Sequence, residues 1–456
     1  MGQQRFGRAS LAAALLGLSI FIASPGTAQT QPSVAEATDK TGKPQDAAAE
    51  DSAFERRAAQ LVDLFSGRLN YGAYFAPLFQ AAVSEAQFEA LRANLITAYG
   101  EPLAVEAVEP LDPWRGTARL RFARASGTVT MEVSPDGEQR VTGLRIQNFI
   151  LPGDSFAAVS SEMATLPGKA GFLVAEIDND DIRPLASLHG DAQFAVGSTY
   201  KLYLLGELAA QIAAGEHRWD AVVPLTHQSF SSAATAGWAT DTPVTIQTLA
   251  NWMIAVSDNG AADTLLHLLG RERIEAYMRG TGHEAPSRNI PMLSTVEAFA
   301  LKGVNFASER RAFIAADDAA QRQMVEGWAD RLTLANVDGV SFAGKPRYID
   351  ALEWFASPRD IAQAMAALRS QGAPEAMQAL AINNGVGPEA AKGWRYLGYK
   401  GGSELGVMSM TLLGQREADG KWFVVTASWN NPDADTAAVT MIGLVGRLLQ
   451  LALKAD

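Results

Sequence analysis

From Leu151 onward, strand-like segments stand at the two ends of the chain and helical patterns fill the stretch between them. Ala170 to Glu176 (AGFLVAE) and Ile182 to Leu188 read as paired strands across an Asp-Asn-Asp turn. Tyr396 to Tyr399, Met408 to Gly414 and Trp422 to Trp429 form the second group, the last two joined by an Ala418-Asp419-Gly420 hairpin turn. No strand–helix–strand repetition connects the groups, which argues against a parallel doubly wound sheet. First and last segments then close one antiparallel sheet, and the helices fill one flank and both faces. A final apolar helix runs through Val439, Ile442, Val445, Leu448 and Leu451. The predicted class is α/β in the α+β sense: residues 150–456 form an antiparallel sheet with a helical lobe.

Ahead of this lies a separate pattern. Ser84 with Gln87 predicts a capping box, and Phe88, Leu91, Leu95 and Tyr99 continue one helical face until Gly100. The period then changes to two: Ala118, Leu120 and Phe122 alternate with arginines, Val129, Met131 and Val133 alternate with polar residues, and Val141 to Phe149 gives a further strand. Two or three helices followed by a curved sheet predict a small α+β domain over 52–149. This order resembles the cone-shaped domains of the steroid-isomerase and nuclear-transport-factor type, in topology alone.

The first 51 residues carry neither pattern. Arg5 and Arg8 precede a 13-residue apolar run, Leu11 to Ala23, and small residues close it at Gly26-Thr27-Ala28. A run this short suits a secretory signal better than a membrane span, so residues 1–28 are predicted to be removed and the product exported, periplasmic or secreted, with no stable membrane span. Residues 29–51 are polar and Pro-containing and read as a linker. The formal net charge is −12 with no Lys/Arg block, which argues against nucleic acid and anionic membrane as partners. The chain has no Cys, so thiolate catalysis, disulfides and Cys-type metal sites are excluded. The five histidines show no metal-ligand spacing, and no nucleophile elbow, phosphate loop or dinucleotide fingerprint is present. Neither a cofactor nor a metal is expected.

Chemistry is concentrated in three short segments. In Val196-Gly197-Ser198-Thr199-Tyr200-Lys201, Gly197 breaks an extended segment and a helical pattern follows. Ser198 is thereby predicted at a helix N-terminus with Lys201 one turn on. A serine hydroxyl needs a base to take its proton, and a lysine can be that base when burial or a nearby cation lowers its pKa. The same helix end directs free backbone N–H groups at a developing oxyanion. With 27 Ser and 10 Lys in the chain, about 0.6 Ser-x-x-Lys matches arise by chance, so this segment alone is also compatible with an ordinary helix start.

Ser257-Asp258-Asn259 makes a polar corner between two apolar helices. Ser257 can relay a proton, and the Asn259 amide can both donate and accept near the lysine and the substrate; a capping turn is the plain alternative. Lys400-Gly401-Gly402-Ser403 follows a strand. Its two glycines mark either a bulge or a close approach of another backbone or ligand. Lys400 would fix a cation that binds a substrate carboxylate and depresses Lys201, and the Ser403 N–H would complete the oxyanion hole.

Ser-x-x-Lys, then Ser-Asp-Asn, then Lys-Gly-Gly on a late strand is an ordered set that resembles class A β-lactamases and penicillin-binding proteins. The runs FAVGSTYKLYLLGEL, VTIQTLANWMIAVSDNGAADTLLHLLGR and SPRDIAQAMAAL are similar to class A segments in type and order. The resemblance implies a serine hydrolase with its site in the cleft between sheet and helical lobe. The chain departs from that pattern at two places. Gly401 stands where the family carries a hydroxyl residue. The stretch VDGVSFAGKPRYID lacks the loop Glu that activates the deacylating water, with Ser341 near its place and Asp338, Asp350 and Glu353 as nearby carboxylates. A helical insertion is predicted between Arg271 and Asp350.

The two-part layout is also similar to a two-domain protein of clavulanic acid biosynthesis, which keeps an esterase in view. Three readings follow: a β-lactamase acting through a Ser198 acyl-enzyme, an esterase or D-Ala-D-Ala peptidase using the same residues, and a binder that acylates and turns over slowly. In each the partner is a small-molecule β-lactam or ester.

Overall fold

The computed structural model describes residues 52–179, 181–339, 344–387 and 390–455. The expected leader (1–28) and linker (29–51), and Ser341, lie outside them. The chain divides into two compact units between Gly153 and Asp154.

In the first unit, among the described residues, helices α1 (Ala53–Ala59), α2 (Leu61–Phe65), α3 (Tyr71–Tyr74), α4 (Pro77–Ala82) and α5 (Glu85–Tyr99) precede strands β1 (Pro102–Asp112), β2 (Arg115–Phe122), β3 (Ser126–Val133) and β4 (Val141–Ile150). The strands pair in sequence order as an antiparallel meander. The Ser84–Gln87 capping box starts α5, and Gly100 ends it at φ 82°. Along β3 buried and half-buried positions alternate strictly, as the period-two pattern requires. Phe54, Phe65, Phe75, Phe88 and Phe122 fill the space between helices and sheet.

Two features depart from expectation. The helices number five rather than two or three, because α2 to α4 are too short to show a period. The sequence also hid β1: Pro102, Pro110, Glu106 and Glu109 break its alternation, and as the sheet's edge strand it leaves most of its residues partly or fully exposed.

The second unit opens with α6 (Phe156–Met163), β5 (Lys169–Asp178), β6 (Asp181–Leu188) and the two-residue β7 (Phe194–Ala195). The helical lobe follows: α7 (Lys201–Ala213), a β8 (Val222–Pro224) and β9 (Pro243–Thr245) ribbon, α8 (Ile246–Ala255), α9 (Asn259–Leu269), α10 (Arg271–Gly280), α11 (Thr295–Lys302), α12 (Ala307–Ala315) and α13 (Asp318–Gly327). The predicted extra helices before Asp350 are α12 and α13. Then come β10 (Phe355–Ala356), which pairs with β7, α14 (Pro358–Gln371) and α15 (Pro374–Ala381). The chain closes with β11 (Trp394–Glu404), β12 (Val407–Arg416), β13 (Trp422–Asn430) and α16 (Ala438–Leu453).

The main sheet runs β11-β12-β13-β5-β6, with each neighbouring pair antiparallel. The last strand group thus pairs with the first, as the end-loaded pattern predicts. β12 and β13 are buried along nearly their whole length because helices cover both faces. Val159 of α6 and Leu444 and Leu448 of α16 join the core on one face. Leu204 and Leu208 of α7 and Ile361 and Met365 of α14 join the core on the other. This arrangement leaves β11 as an edge strand beside the turn that carries Ser198.

Candidate active site

The nucleophile turn is pinned from several sides. Gly197 has φ 48°, a left-handed conformation that a side chain would strain. Residues Gly197–Tyr200 form one 3₁₀ turn, and α7 begins at Lys201. Val196 N–H donates to the Trp354 carbonyl at 2.9 Å. The Tyr200 ring stacks on Trp354 with centroids 4.2 Å apart, and Thr199 Oγ1 donates to Ser409 Oγ on β12 at 3.2 Å. Ser198 itself is half-buried.

Gly402 on β11 presses against this turn. A Cβ there would stand 2.0 Å from Val196 O and 2.6 Å from Ser198 N. A Cβ on Gly197 would in turn stand 3.1 Å from Ser403 N. The β11–β12 register is continuous from Tyr396 to Glu404, so the two glycines mark a close approach of backbones and not a bulge. The backbones that carry the Ser198 and Ser403 N–H groups thereby approach one another.

Lys201 is fully buried. Its Nζ donates to Ser257 O at 2.7 Å, Asn259 Oδ1 at 2.7 Å and Asp258 O at 3.3 Å, with Ser257 Oγ at 3.5 Å. Among the described hydrogen bonds, none joins it to Ser198 Oγ. Burial pushes its pKa down to about 7, although the Asp263 and Asp258 carboxylates pull the other way. A lysine neutral in half of its copies near pH 7 can act as a base.

Ser257 links the two cations, for its Oγ also accepts from Lys400 Nζ at 3.0 Å. It holds φ 59°, a conformation rare outside glycine. Lys400 is buried as well and also donates to the Gly401 carbonyl. Burial, and then the charge of Lys201, lower its pKa well below the usual lysine range. The expected lysine–lysine repulsion is thus expressed on Lys400, while burial acts first on both.

Asn259 both accepts and donates beside the lysine. Its Oδ1 is taken by Lys201 and its Nδ2 donates to Phe230 O at 3.0 Å. The amide positions the lysine and the loop at Phe230, and among the described hydrogen bonds its second N–H is left over for another partner. Asp258 caps α9 at Ala261 and holds the Ala234 and Thr235 N–H groups at 2.8 and 2.9 Å. It therefore fixes the loop that faces the site. Asp263, pushed up to about 6 by burial, accepts from Thr295 N and Oγ1 at 2.8 and 2.7 Å.

Tyr399 stands just outside the three segments singled out above. A Cβ on Gly401 would stand 2.0 Å from Tyr399 Oη, so the phenol fills the space that a side chain at 401 would need. Among the described hydrogen bonds that hydroxyl takes part in none, and burial pushes its pKa up to about 12, which keeps it a donor. A tyrosine two residues before a strand glycine is a detectable signal, because the two share one face. Trp238 is partly exposed and stands edge-on to Trp252, with centroids 5.2 Å apart.

Of the three carboxylates near the missing loop Glu, Asp338 accepts from Val304 N at 2.7 Å and Asp350 is exposed. Glu353 is buried against Lys302. Among the described residues, no group of three or more His, Cys, Asp or Glu is arranged to hold a metal. No described helix is long and apolar enough to cross a membrane.

A model of the beta-lactamase enzyme family matches residues 155–384. Ser198, Lys201, Ser257 and Asn259 lie within that span, and Lys400 to Ser403 lie beyond it. Similar solved structures include a beta-lactamase from Chitinophaga pinensis, 15% identical with a TM-score of 0.45, covering 66% of this chain and 97% of that one. The beta-lactamase from Sphaerobacter thermophilus is 18% identical with a TM-score of 0.45, covering 66% and 95%. The beta-lactamase from Desulfarculus baarsii is 17% identical with a TM-score of 0.44, covering 67% and 100%. No curated protein matches. With half of its length matched by the family model and an antiparallel sheet beside a helical lobe, the chain belongs to the beta-lactamase enzyme family.

Proposed function

We propose that this chain is an exported serine hydrolase that opens β-lactam rings through an acyl-enzyme on Ser198. The observation that carries this reading is Lys201: an amine with no solvent exposure, lowered to about 7, beginning the helix that follows the Ser198 turn. In the proposed reaction the neutral Lys201 takes the Ser198 proton as Oγ bonds to the lactam carbonyl carbon. The oxyanion is met by the Ser198 and Ser403 N–H groups, whose approach depends on Gly402. The ring nitrogen leaves with a proton passed from Lys201 through Ser257, which is in reach of both lysines. Lys400 and the Tyr399 hydroxyl receive the substrate carboxylate, with Gly401 leaving the space that the phenol occupies.

A chromogenic cephalosporin in excess over the enzyme tests this, read in the first turnover. A burst equal to the enzyme concentration is expected, and Ser198→Ala should abolish it; a burst that persists in Ser198→Ala rejects the reading. One observation favours a second reading, an esterase or D-Ala-D-Ala peptidase on the same residues. The anion-binding hydroxyl comes from Tyr399 and not from position 401, which changes the shape offered to the acyl donor. Faster turnover of esters or peptides than of lactams would select it. Export rests on the leader, with Gln29 as the expected mature N-terminus and a periplasmic or secreted location.

A further inference from the structure

Three charged side chains that the acylation step does not use, two buried and one half-buried, lie beside the nucleophile turn. Lys302, at the end of α11, donates to Glu353 and to both Glu404 carboxylate oxygens, each of the latter at 2.7 Å. The Lys302 and Glu353 side chains are 2% and 1% exposed, whereas that of Glu404 is 13% exposed. Glu404 is therefore the member of the group that water reaches most readily.

Strand geometry directs Glu404 toward the site. Lys400, Gly402 and Glu404 alternate along β11 and so share one face. The would-be Cβ of Gly402 stands 2.6 Å from Ser198 N, and one strand repeat of about 7 Å separates it from the Glu404 position. Glu353 arrives from the other side of the turn, since the next residue, Trp354, accepts from Val196 N at 2.9 Å. Pro346 packs on the turn after Glu404, 2.5 Å from a would-be Cβ on Gly406.

We infer that Glu404 is a further catalytic residue, the carboxylate that takes a proton from the water attacking the Ser198 acyl group, and that Lys302 and Glu353 are its positioning residues. This rests on the acyl-enzyme reading above. Two carboxylates on one ammonium leave a net negative charge in a buried place, which raises the pair's affinity for a proton, so Glu404 acts as the base once the pair has given up its shared proton. Burial, and then the Glu353 charge, push Glu404 well above the usual carboxylate range, while Lys302 draws it back. The charged groups facing Glu404 are Lys302 from α11 and Glu353 from the segment before β10.

In the step itself, the water oxygen bonds to the acyl carbon as one of its protons passes to Glu404. The carbonyl electron pair moves onto the oxyanion. Its return breaks the carbon–Oγ bond, and the proton held on Glu404 goes back to Ser198 Oγ. Water is the one co-reactant, and the product is the ring-opened acid.

Intact-mass spectrometry with a cephalosporin, on the full chain, reads adduct formation and lifetime together. In Glu404→Gln the Ser198 adduct should form as in the wild type and persist at least about 100-fold longer. In Glu353→Gln the adduct should still clear, with the acid limb of its clearance moved to lower pH, because loss of the neighbouring charge lets Glu404 ionise sooner. A Glu404→Gln adduct that clears at the wild-type rate overturns the inference and leaves Ser198 as nucleophile intact. An unmoved limb in Glu353→Gln overturns it even where Glu404→Gln fails to fold. A wild type that forms no adduct overturns both this inference and the acyl-enzyme reading.

Discussion

At the scale of the residue, the proposed chemistry depends on charges kept away from water without opposite charges in direct contact. Lys201 meets carbonyl, amide and hydroxyl oxygens and Lys400 carbonyl and hydroxyl oxygens, and Ser257 stands between them. Such partners satisfy N–H groups without restoring the ionised form as a carboxylate would. Asp263 pulls the Lys201 pKa upward, yet burial outweighs it. Tyr399 belongs to the same logic: a phenol held near pKa 12 stays neutral and can donate to an anion without adding a third titrating group. Tyr399→Phe should therefore raise KM for a carboxylate-bearing β-lactam about tenfold, the worth of one hydrogen bond to a charge, while kcat changes little. Steady-state kinetics checks it, and an unchanged KM would remove Tyr399 from the substrate's surroundings.

At the scale of the element, β11 organises the site because it is an edge strand with no side chain at 402. Ordinary strand glycines are tolerated or destabilising, but here one lets two backbones meet. Gly402→Ala places a methyl 2.0 Å from Val196 O, a clash that backbone must absorb. Acylation should fall about 100-fold, the usual result of a misplaced reacting group, and stability by about 1–3 kcal/mol from overpacking. Burst kinetics and thermal unfolding read the two effects; near-wild-type acylation would show that the Ser198–Ser403 approach is unimportant. The Lys-Gly-Gly run announced this strand in the sequence, as Ser-x-x-Lys and Ser-Asp-Asn announced their turns. Those segments are legible because their chemistry is local. The Lys302–Glu353–Glu404 group is not, since its members meet across positions far apart in the chain and no spacing rule joins residues 302, 353 and 404, whereas Tyr399 shares a strand face with Gly401 two positions on. Asn259 was legible as a polar corner, yet its partners at Phe230 and Lys201 appear only once the loop is folded.

At the scale of the whole molecule, the end-loaded strand pattern was enough to foresee the main sheet. Antiparallel pairing of β13 with β5 is what joins the two ends of the unit, across a gap of more than two hundred residues. In the first unit the helix-then-sheet order was legible, but β1 was not, because an exposed edge strand carries no buried alternation to read. The central claim at this scale is that the fold keeps Lys201 as a free base near neutrality so that Ser198 can be acylated. The most direct measurement is the rate of Ser198 acylation by a cephalosporin as a function of pH, followed by intact mass with the adduct site mapped. Because the base must be deprotonated and its pKa is about 7, the rate should rise roughly tenfold per unit at acid pH and level off above that value. A rate independent of pH from 5 to 9, or an adduct on a residue other than Ser198, would contradict the account.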